Sequence, residues 1–351
     1  MKALVLAGGS GTRLRPLSHS MPKQLVPVAG RPVLEYGLES LRNAGIRDIG
    51  VVVGGWASAI KEALGDGSRL GVRITYIRQE QPLGLAHCVR LAKPFLGDSN
   101  FAMFLGDIVM PGGIAGSADE FRSTRPEAHL LVRRVADPRA FGVVELAGRA
   151  VRRLVEKPQQ PQSDLALTGV YFFTPAIHRA VDAIGPSARG ELEITDAIQW
   201  LVDHGAAVTA EEYDGYWRDT GDAVAVLDCN RHLLSSLSRS VRGDVDVRSR
   251  LSGRVVVEPG AHVVASRITG PAIIGAGTCI ENCVIDAYTS IGRGCLLNGT
   301  RIGGSVVLDD ATVSSVPLLQ DSIIGRAAVV GPASSHHRLV IGDHTRIEIA
   351  A

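Results

Sequence analysis

The sequence predicts an α/β protein in two parts: a Rossmann-like, mostly parallel sheet with helices on both faces, followed by a parallel β-helix. In the first two thirds of the chain, short apolar runs typical of buried strands alternate with stretches that have helical spacing of apolar residues. In the last third, aliphatic residues recur at nearly every sixth position. That spacing is typical of a solenoid of short stacked strands.

A chain of 351 residues is long enough for two domains, each with its own core. We predict a first domain over residues 1–235, a linker over 236–250 and the β-helix over 251–351. A helical segment over 228–237 is expected to join the two parts.

Composition and charge exclude several classes of protein. Hydrophobic residues make up 45% of the chain and the net charge is +1, which argues against a nucleic-acid or membrane partner. The sequence has no apolar run long enough to cross a membrane and no recognisable signal peptide. The five cysteines, an odd number, show neither disulfide-framework nor zinc-site spacing. We therefore expect reduced thiols in a cytoplasmic protein.

The first functional motif is a glycine-rich turn that follows a short apolar strand. Residues 8–13 read Gly-Gly-Ser-Gly-Thr-Arg, and Lys23 follows shortly downstream. Glycines let a backbone approach a ligand closely, and exposed N–H groups beside arginine hold phosphates. The dinucleotide fingerprint is excluded because Leu14 replaces its third glycine, and the P-loop because Thr12-Arg13 replaces its Lys-Ser/Thr pair. An ordinary strand–turn–helix unit is the alternative interpretation.

This turn resembles the opening of the sugar-1-phosphate nucleotidyltransferases, and later motifs follow in that family's order over essentially the whole chain. Among them, the chain resembles the long-form glucose-1-phosphate thymidylyltransferases. The resemblance implies that Arg13 and Lys23 are catalytic. It implies a nucleotide site formed by Leu6, Gly8, Gly9, Gly11, Thr12, Gln79 and Gly84. In that site, Gln79 would contact a pyrimidine base.

Two aspartates far apart in the sequence each stand at the end of a predicted strand. Asp107 follows the apolar run 101–105, and Asp219 lies in a Trp-Arg-Asp-Thr-Gly segment. Carboxylates together with phosphates are the usual ligands of Mg²⁺. The resemblance implies that both aspartates bind one Mg²⁺, while an ordinary turn aspartate is the alternative for Asp107.

Several further segments resemble the sugar pocket of this family. The resemblance implies that the substrate-binding residues are Phe141, Gly142, Glu156, Lys157, Gly169, Val170, Glu191 and Trp217. Glu156 would accept hydrogen bonds from sugar hydroxyls, and Lys157 would pair with the sugar phosphate. Glu–Lys pairs are also common as solvated surface charge, and Glu191 also suits the start of a helix.

In the last third of the chain, Ile-Gly pairs stand 17 residues apart, at 274–275 and 291–292 and again at 324–325 and 341–342. Leu308-Asp309 is expected at the intermediate position. This spacing resembles the hexapeptide repeat, three of which form one triangular coil of a left-handed parallel β-helix. An antiparallel sandwich would not keep this phase. Hexapeptide helices also occur in acyltransferases, but the four histidines of this region have no recognisable partner, which favours a structural or assembly role.

The implied reaction transfers a nucleotidyl group from a nucleoside triphosphate, with dTTP expected, to a sugar 1-phosphate, with glucose 1-phosphate expected. The family also implies a homo-oligomer. Ile108, Gly30-Arg31 and Gly54-Gly55-Trp56 depart from the family's usual letters. Another base (ATP, UTP or GTP) or a cyclitol phosphate acceptor therefore stays open, as does a non-catalytic regulatory or scaffold subunit.

Overall fold

The computed structural model describes residues 1–9, 11–333 and 335–347. The last residues of the predicted β-helix domain, 348–351, and Ser10 of the glycine-rich turn lie outside the described residues. The chain divides into two compact units. The sheet unit comprises Met1–Gly9 and Leu34–Trp217, and the β-helix unit comprises Ser10–Val33 and Arg218–Ala351.

The strands up to residue 219 are short and mostly buried. In chain order they are β1 (Lys2–Ala7), β2 (Pro27–Val28), β3 (Arg31–Pro32), β4 (Asp48–Val53), β5 (Arg73–Arg78), β6 (Phe101–Leu105), β7 (Ile108–Val109), β8 (Ala128–Arg134), β9 (Gly142–Ala147), β10 (Ala150–Glu156), β11 (Leu165–Phe173), β12 (Val208–Glu212) and β13 (Arg218–Asp219). The α-helices are α1 (Val33–Asn43), α2 (Ala57–Leu64), α3 (Leu85–Leu91), α4 (Lys93–Leu96), α5 (Ala115–Thr124), α6 (Ala176–Ala183), α7 (Ile194–Asp203) and α8 (Ala223–Leu234).

The sheet unit is built on one twisted sheet, in which the described residues form nine strands in the order β5-β4-β1-β6-β11-β8-β12-β10-β9. The strands β5, β4, β1 and β6 are mutually parallel, which confirms the predicted Rossmann-like core. Beyond β6 the sheet is mixed, because β11 runs antiparallel to both β6 and β8 while β12 runs parallel to β8. The carboxyl ends of the four parallel strands lie at one edge, where ligands bind in such sheets.

The core of this unit is packed around β11, which is buried along its whole length. Most of this core is aliphatic, with a group of aromatic side chains on and beside β11. The rings of Phe101 and Phe173 lie 5.5 Å apart, and those of Tyr171 and Phe173 are stacked at 5.9 Å. Such large buried rings stabilise the sheet mainly through the apolar area that they remove from water.

The β-helix unit consists of three parallel sheets whose strands succeed one another around each coil, as predicted for a left-handed parallel β-helix. The first sheet contains Ser240–Val241, Val255–Val257, Ala272–Ile274, Thr289–Ile291, Val306–Val307, Ile323–Ile324 and Val340–Ile341. The second contains Asp244–Val245, His262–Val264, Cys279–Glu281, Leu296–Asn298, Thr312–Ser314, Val329–Val330 and Arg346–Ile347. The third contains Arg250–Ser252, Arg267–Thr269, Val284–Ile285, Arg301–Gly303, Leu318–Gln320 and His336–His337.

The predicted aliphatic positions form the stacked interior of this solenoid. Each is at most 2% exposed: Ile268, Ile274, Ile280, Ile285, Ile291 and Leu297. The expected register fails at one place, since Val307 and not Leu308 pairs between Ile291 and Ile324. The turn before that strand is one residue shorter than the turn in the preceding coil, because Ile302 pairs with Ile285 while Val306 pairs with Ser290.

Two segments differ from the predicted division of the chain. Residues 236–250, expected as a linker, contain strands that pair with the following coil, so the solenoid already begins there. Residues 10–33 group with the β-helix. The buried Asn230 explains this grouping, since its Oδ1 accepts hydrogen bonds from Ala29 N at 2.9 Å and from Ser290 Oγ at 2.7 Å. One side chain of α8 thereby ties the segment that carries Arg13 and Lys23 to the solenoid.

Two general features agree with the composition. Within the described part of the chain, no helix combines the length and the apolar character needed to span a bilayer. All five cysteines are free thiols.

Candidate functional site

The carboxyl ends of β1, β4 and β5 form a cradle with few side chains. A Cβ atom added to Gly8 would lie 3.0 Å from Gln79 Oε1, and one added to Gly54 would lie 3.0 Å from Gly8 O. Gln79 N donates to Val53 O at 2.9 Å, which continues the strand register past β5. Gly8 of the predicted nucleotide site therefore lies beside Gln79, and the next residue, Gly9, is exposed. Leu6 pairs with Val52 and Leu105 inside the sheet.

The loop before α3 is held to a distant segment by two backbone hydrogen bonds. Leu192 N donates to Leu83 O at 2.8 Å, and Ala86 N donates to Leu192 O at 3.0 Å. Between them, Gly84 has a φ of 102°, and a Cβ atom there would overlap the Leu192 backbone. This position therefore requires glycine both for its backbone angle and for the close approach.

Gln79 is anchored by the first turn of α3. It is 7% exposed, and its side-chain nitrogen lies 3.1 Å from His87 Nδ1. The thiol of Cys88, the next residue, donates to Gly84 O at 3.6 Å, and burial raises its pKa to about 12. The Gln79 side chain is thus fixed in place before any nucleotide binds.

Asp107 lies two residues after β6, the strand beside β1. Gly106 N donates to Leu6 O at 2.9 Å, so the backbone that leads to this aspartate is fixed against β1. The Asp107 carboxylate is partly exposed. It is placed at the same sheet edge as Gly8, as expected for a residue that follows a parallel strand.

A second group in the sheet unit is centred on Glu156, at the end of β10. Glu156 Oε1 lies 3.5 Å from Lys157 Nζ, and Glu156 Oε2 accepts from Thr195 Oγ1 at 3.3 Å. Lys157 N donates to Phe141 O at 3.0 Å, and the Lys157 backbone has a φ of 42°. A left-handed lysine is a strained position, and such positions cluster at functional sites. The chain therefore brings Phe141, Glu156 and Lys157 together.

Gly142 provides the space for this group. A Cβ atom on Gly142 would overlap the side chains of Leu167 and Thr195 and would lie 3.2 Å from Glu156 Oε2. Any larger residue would therefore push against Leu167 and Thr195, and Thr195 is a hydrogen-bond partner of Glu156.

Arg189, which lies on the loop before α7, faces three carboxylates. Its guanidinium lies 3.4 Å from Glu156 Oε1, 3.2 Å from Glu193 Oε1 and 3.6 Å from Glu191 Oε1. Burial, together with the negative charge of Glu156, raises the pKa of Glu193 above its usual value. This cluster combines several hydrogen-bond acceptors with two cations, Arg189 and Lys157, which suits a ligand that has both hydroxyl groups and a phosphate.

The aromatic wall beside this cluster is formed by Phe141 and Trp217. Their rings are 5.5 Å apart and nearly perpendicular, and Trp217 Nε1 donates to Thr168 O at 2.8 Å. Gly169 has a φ of 90°, and a Cβ atom there would overlap Leu105. Val170 is fully buried and pairs with Phe104 in the sheet, so it belongs to the core.

In the β-helix unit, Gly11, Thr12, Arg13 and Lys23 lie in one folded loop. Gly11 has a φ of 64°, and a Cβ atom there would lie 3.2 Å from Lys23 Cβ. Ser18 Oγ donates to Gly11 O at 2.7 Å, and Thr12 and Arg13 stand in the short helical turn Thr12–Leu14. Arg13 Nη2 lies 3.6 Å from Asp219 Oδ2, with 64% of the arginine side chain exposed.

The two predicted metal ligands supply the hard oxygen donors that a small divalent cation prefers. Asp219 stands beside Arg13 at the end of β13, and Asp107 stands beyond β6. A separate group within the described residues, Glu120, His129 and Glu211, brings its ligand atoms within 4.8 Å of one another. Its carboxylates already have partners, because Glu120 pairs with Arg149 and Glu211 lies 3.2 Å from His129 Nε2.

Reasoning from the sequence missed His87 and Arg189 as members of these groups. Both stand in segments that the motifs identified, but neither belongs to a motif position. Arg189 could have been suspected from the run of glutamates that follows it, since a buried carboxylate needs a partner. No signal in the sequence indicates that His87 faces Gln79.

The nucleotidyl transferase family model matches residues 2–236. A protein from Streptomyces griseus named glucose-1-phosphate thymidylyltransferase is 52% identical to the chain and covers 100% of both sequences. A protein of the same name from Streptomyces antibioticus is 51% identical, with 99% of each sequence covered.

A solved structure from Bacillus anthracis, assigned as a glucose-1-phosphate thymidylyltransferase in complex with sucrose, superimposes with a TM-score of 0.63. It is 33% identical, and the match covers 68% of this chain and 97% of that one.

Proposed function

We propose that this chain, which belongs to the nucleotidyl transferase family, transfers a thymidylyl group from dTTP to glucose 1-phosphate and releases pyrophosphate. The family's reaction is the transfer of a nucleotidyl group to a sugar 1-phosphate. The observation that carries the choice of substrates is the full-length match to two Streptomyces proteins named for this reaction. The buried carboxamide of Gln79 beside Gly8 supports it, since an amide can read the edge of a pyrimidine.

The proposed reaction joins two anions, so positioning and charge neutralisation are the main tasks of the protein. An oxygen of the sugar phosphate attacks the α-phosphorus in line, and pyrophosphate leaves. The acceptor phosphate is already ionised, so no general base is required. We assign the triphosphate and the leaving pyrophosphate to Arg13 and Lys23, with the backbone N–H groups of the glycine-rich turn beside them. Glycine at 8, 9 and 11 leaves room for that approach.

We assign the sugar 1-phosphate to the group around Glu156. Glu156 would accept from sugar hydroxyls, Lys157 would pair with the phosphate, and Gly142, Gly169, Val170 and Trp217 would line the ring. The exposed fraction of the Lys157 side chain is 42%, so its ammonium can leave Glu156 for a phosphate. Glu191 would also accept a hydrogen bond from a sugar hydroxyl in this proposal.

We propose Mg²⁺ as the divalent cation and Asp107 and Asp219 as its protein ligands. The ion would neutralise phosphate charge when bound. Asp219 also orients Arg13 in the structure, since their charged atoms lie 3.6 Å apart.

A cytoplasmic location and self-association are part of the same proposal. Five free thiols are compatible with a reducing compartment. The β-helix unit exposes the apolar side chains of Val241, Val247 and Leu296.

The substrates are tested by pyrophosphate release with Mg²⁺, glucose 1-phosphate and each of dTTP, UTP, ATP and GTP. We expect dTTP to give the highest kcat/KM. A clear preference for another base would contradict the thymidylyl assignment and keep the chemistry. Release only with a cyclitol phosphate would contradict the acceptor. If a folded sample released no pyrophosphate with any combination of nucleotide and acceptor, a regulatory or scaffold subunit would be favoured.

A further inference from the structure

His87 makes a side-chain contact with the residue that we assign to the base. It stands in the first turn of α3, half-buried, and its Nδ1 lies 3.1 Å from Gln79 Nε2. Burial and the nearby Arg90 guanidinium lower the pKa of His87, so the imidazole is neutral near pH 7. With Gln79 Nε2 as the donor, Nδ1 is the acceptor of this hydrogen bond.

The two ends of the Gln79 carboxamide face different neighbours in the structure. The nitrogen of Gln79 is turned toward His87, 3.1 Å from its Nδ1. The oxygen is turned toward the glycine cradle, since Gln79 Oε1 would lie 3.0 Å from a Cβ atom on Gly8. An amide whose orientation is fixed presents an acceptor there and not a donor.

We propose that His87 is a positioning residue for base selection: it holds Gln79 with Oε1 toward the base, where it accepts the N3–H of thymine or uracil. Cytosine offers an unprotonated N3 at the same place, so its acceptor would face an acceptor. This inference rests on the proposed function, because it takes Gln79 to be the residue that reads the base.

Without an acceptor at position 87, the carboxamide can turn and present its nitrogen to the base. The turned amide suits cytosine, whose N3 accepts. Selection between the two pyrimidines then weakens, although the chemistry at the α-phosphorus is untouched. If His87 only packed α3 against the sheet, its substitution would instead lower the stability of the protein or change kcat/KM equally for all nucleotides.

The test compares dTTP, dUTP and dCTP with glucose 1-phosphate in the wild-type protein and in His87→Ala. We expect kcat/KM for dTTP relative to dCTP to fall about 10-fold, which is the value of one hydrogen bond. The fall should come from KM, with kcat for dTTP nearly unchanged. His87→Asn, which keeps an acceptor, should restore most of the ratio. His87→Leu, which keeps the bulk but has no acceptor, should show the same fall as His87→Ala and replaces it if the alanine variant does not fold.

Lys93→Ala is the matched control, since it removes an exposed charge from the adjoining helix α4 that contacts Asp182 and neither Gln79 nor His87. It should leave the dTTP/dCTP ratio unchanged. A folded His87→Ala protein with the wild-type ratio would overturn the inference while leaving the proposed function intact. A wild-type protein that does not use dTTP would overturn the proposed function itself.

Discussion

Asp107→Asn is expected to lower kcat on the order of 10³-fold and to leave the fold intact. The substitution keeps the size of the side chain but removes the negative charge of the carboxylate that we propose as a ligand of the divalent cation. Loss of a preorganised charge at a phosphoryl-transfer site costs on the order of 10³-fold in kcat. Asp107 is partly exposed and lies beyond the end of β6, so its charge contributes little to the core. Pyrophosphate release with dTTP and glucose 1-phosphate measures the loss.

The matched control for Asp107→Asn is Asp98→Asn, an exposed aspartate in the turn before β6. It should keep wild-type turnover, and both variants should keep the wild-type thermal transition. Turnover within a few-fold of wild type in Asp107→Asn would contradict its assignment as a metal ligand.

Arg13→Ala should lower kcat about 10²- to 10³-fold, because a guanidinium beside the triphosphate stabilises charge that moves in the transition state. The ion pair with Asp219 should matter little for stability. Its atoms are 3.6 Å apart and 64% of the arginine side chain is exposed, and such surface pairs contribute at most about 1 kcal/mol. Arg13→Lys keeps the charge but not the planar fork, so an intermediate kcat is expected.

Arg15→Ala is the control for Arg13, since it removes an exposed arginine two residues along the same loop. We expect near wild-type kcat for that variant. An equal loss in both variants would mean that the general positive charge of the loop, and not the position of Arg13, is what counts.

Periodicity predicted the parts of the fold in which one residue contacts its neighbours at a fixed spacing. The stacked interior from Ile268 to Leu297 is such a part, since each aliphatic residue packs on the coils above and below it. The register at Val307 could not be predicted, because it depends on the length of one turn. The mixed half of the sheet could not be predicted either, because the alternation of strands and helices in the sequence does not determine the direction of each strand.

The sequence motifs correctly predicted that candidate residues follow strands, but they did not predict which side chains these residues contact. Asp107 and Gln79 follow parallel strands, as a ligand edge requires. Contacts between distant segments, such as Arg189 with Glu156 or Asn230 with Ala29, arise from tertiary packing and have no local signal. The grouping of residues 10–33 with the β-helix is a consequence of such contacts.

The most direct measurement of the central claim is a single reaction with dTTP and glucose 1-phosphate that carries ¹⁸O in its phosphate, followed by mass spectrometry of both products. Attack of the sugar phosphate on the α-phosphorus predicts a dTDP-sugar that contains all of the label and a pyrophosphate that contains none. Label in the pyrophosphate, or no dTDP-sugar from a folded and metal-supplied sample, would contradict the assignment of this chain as a thymidylyltransferase.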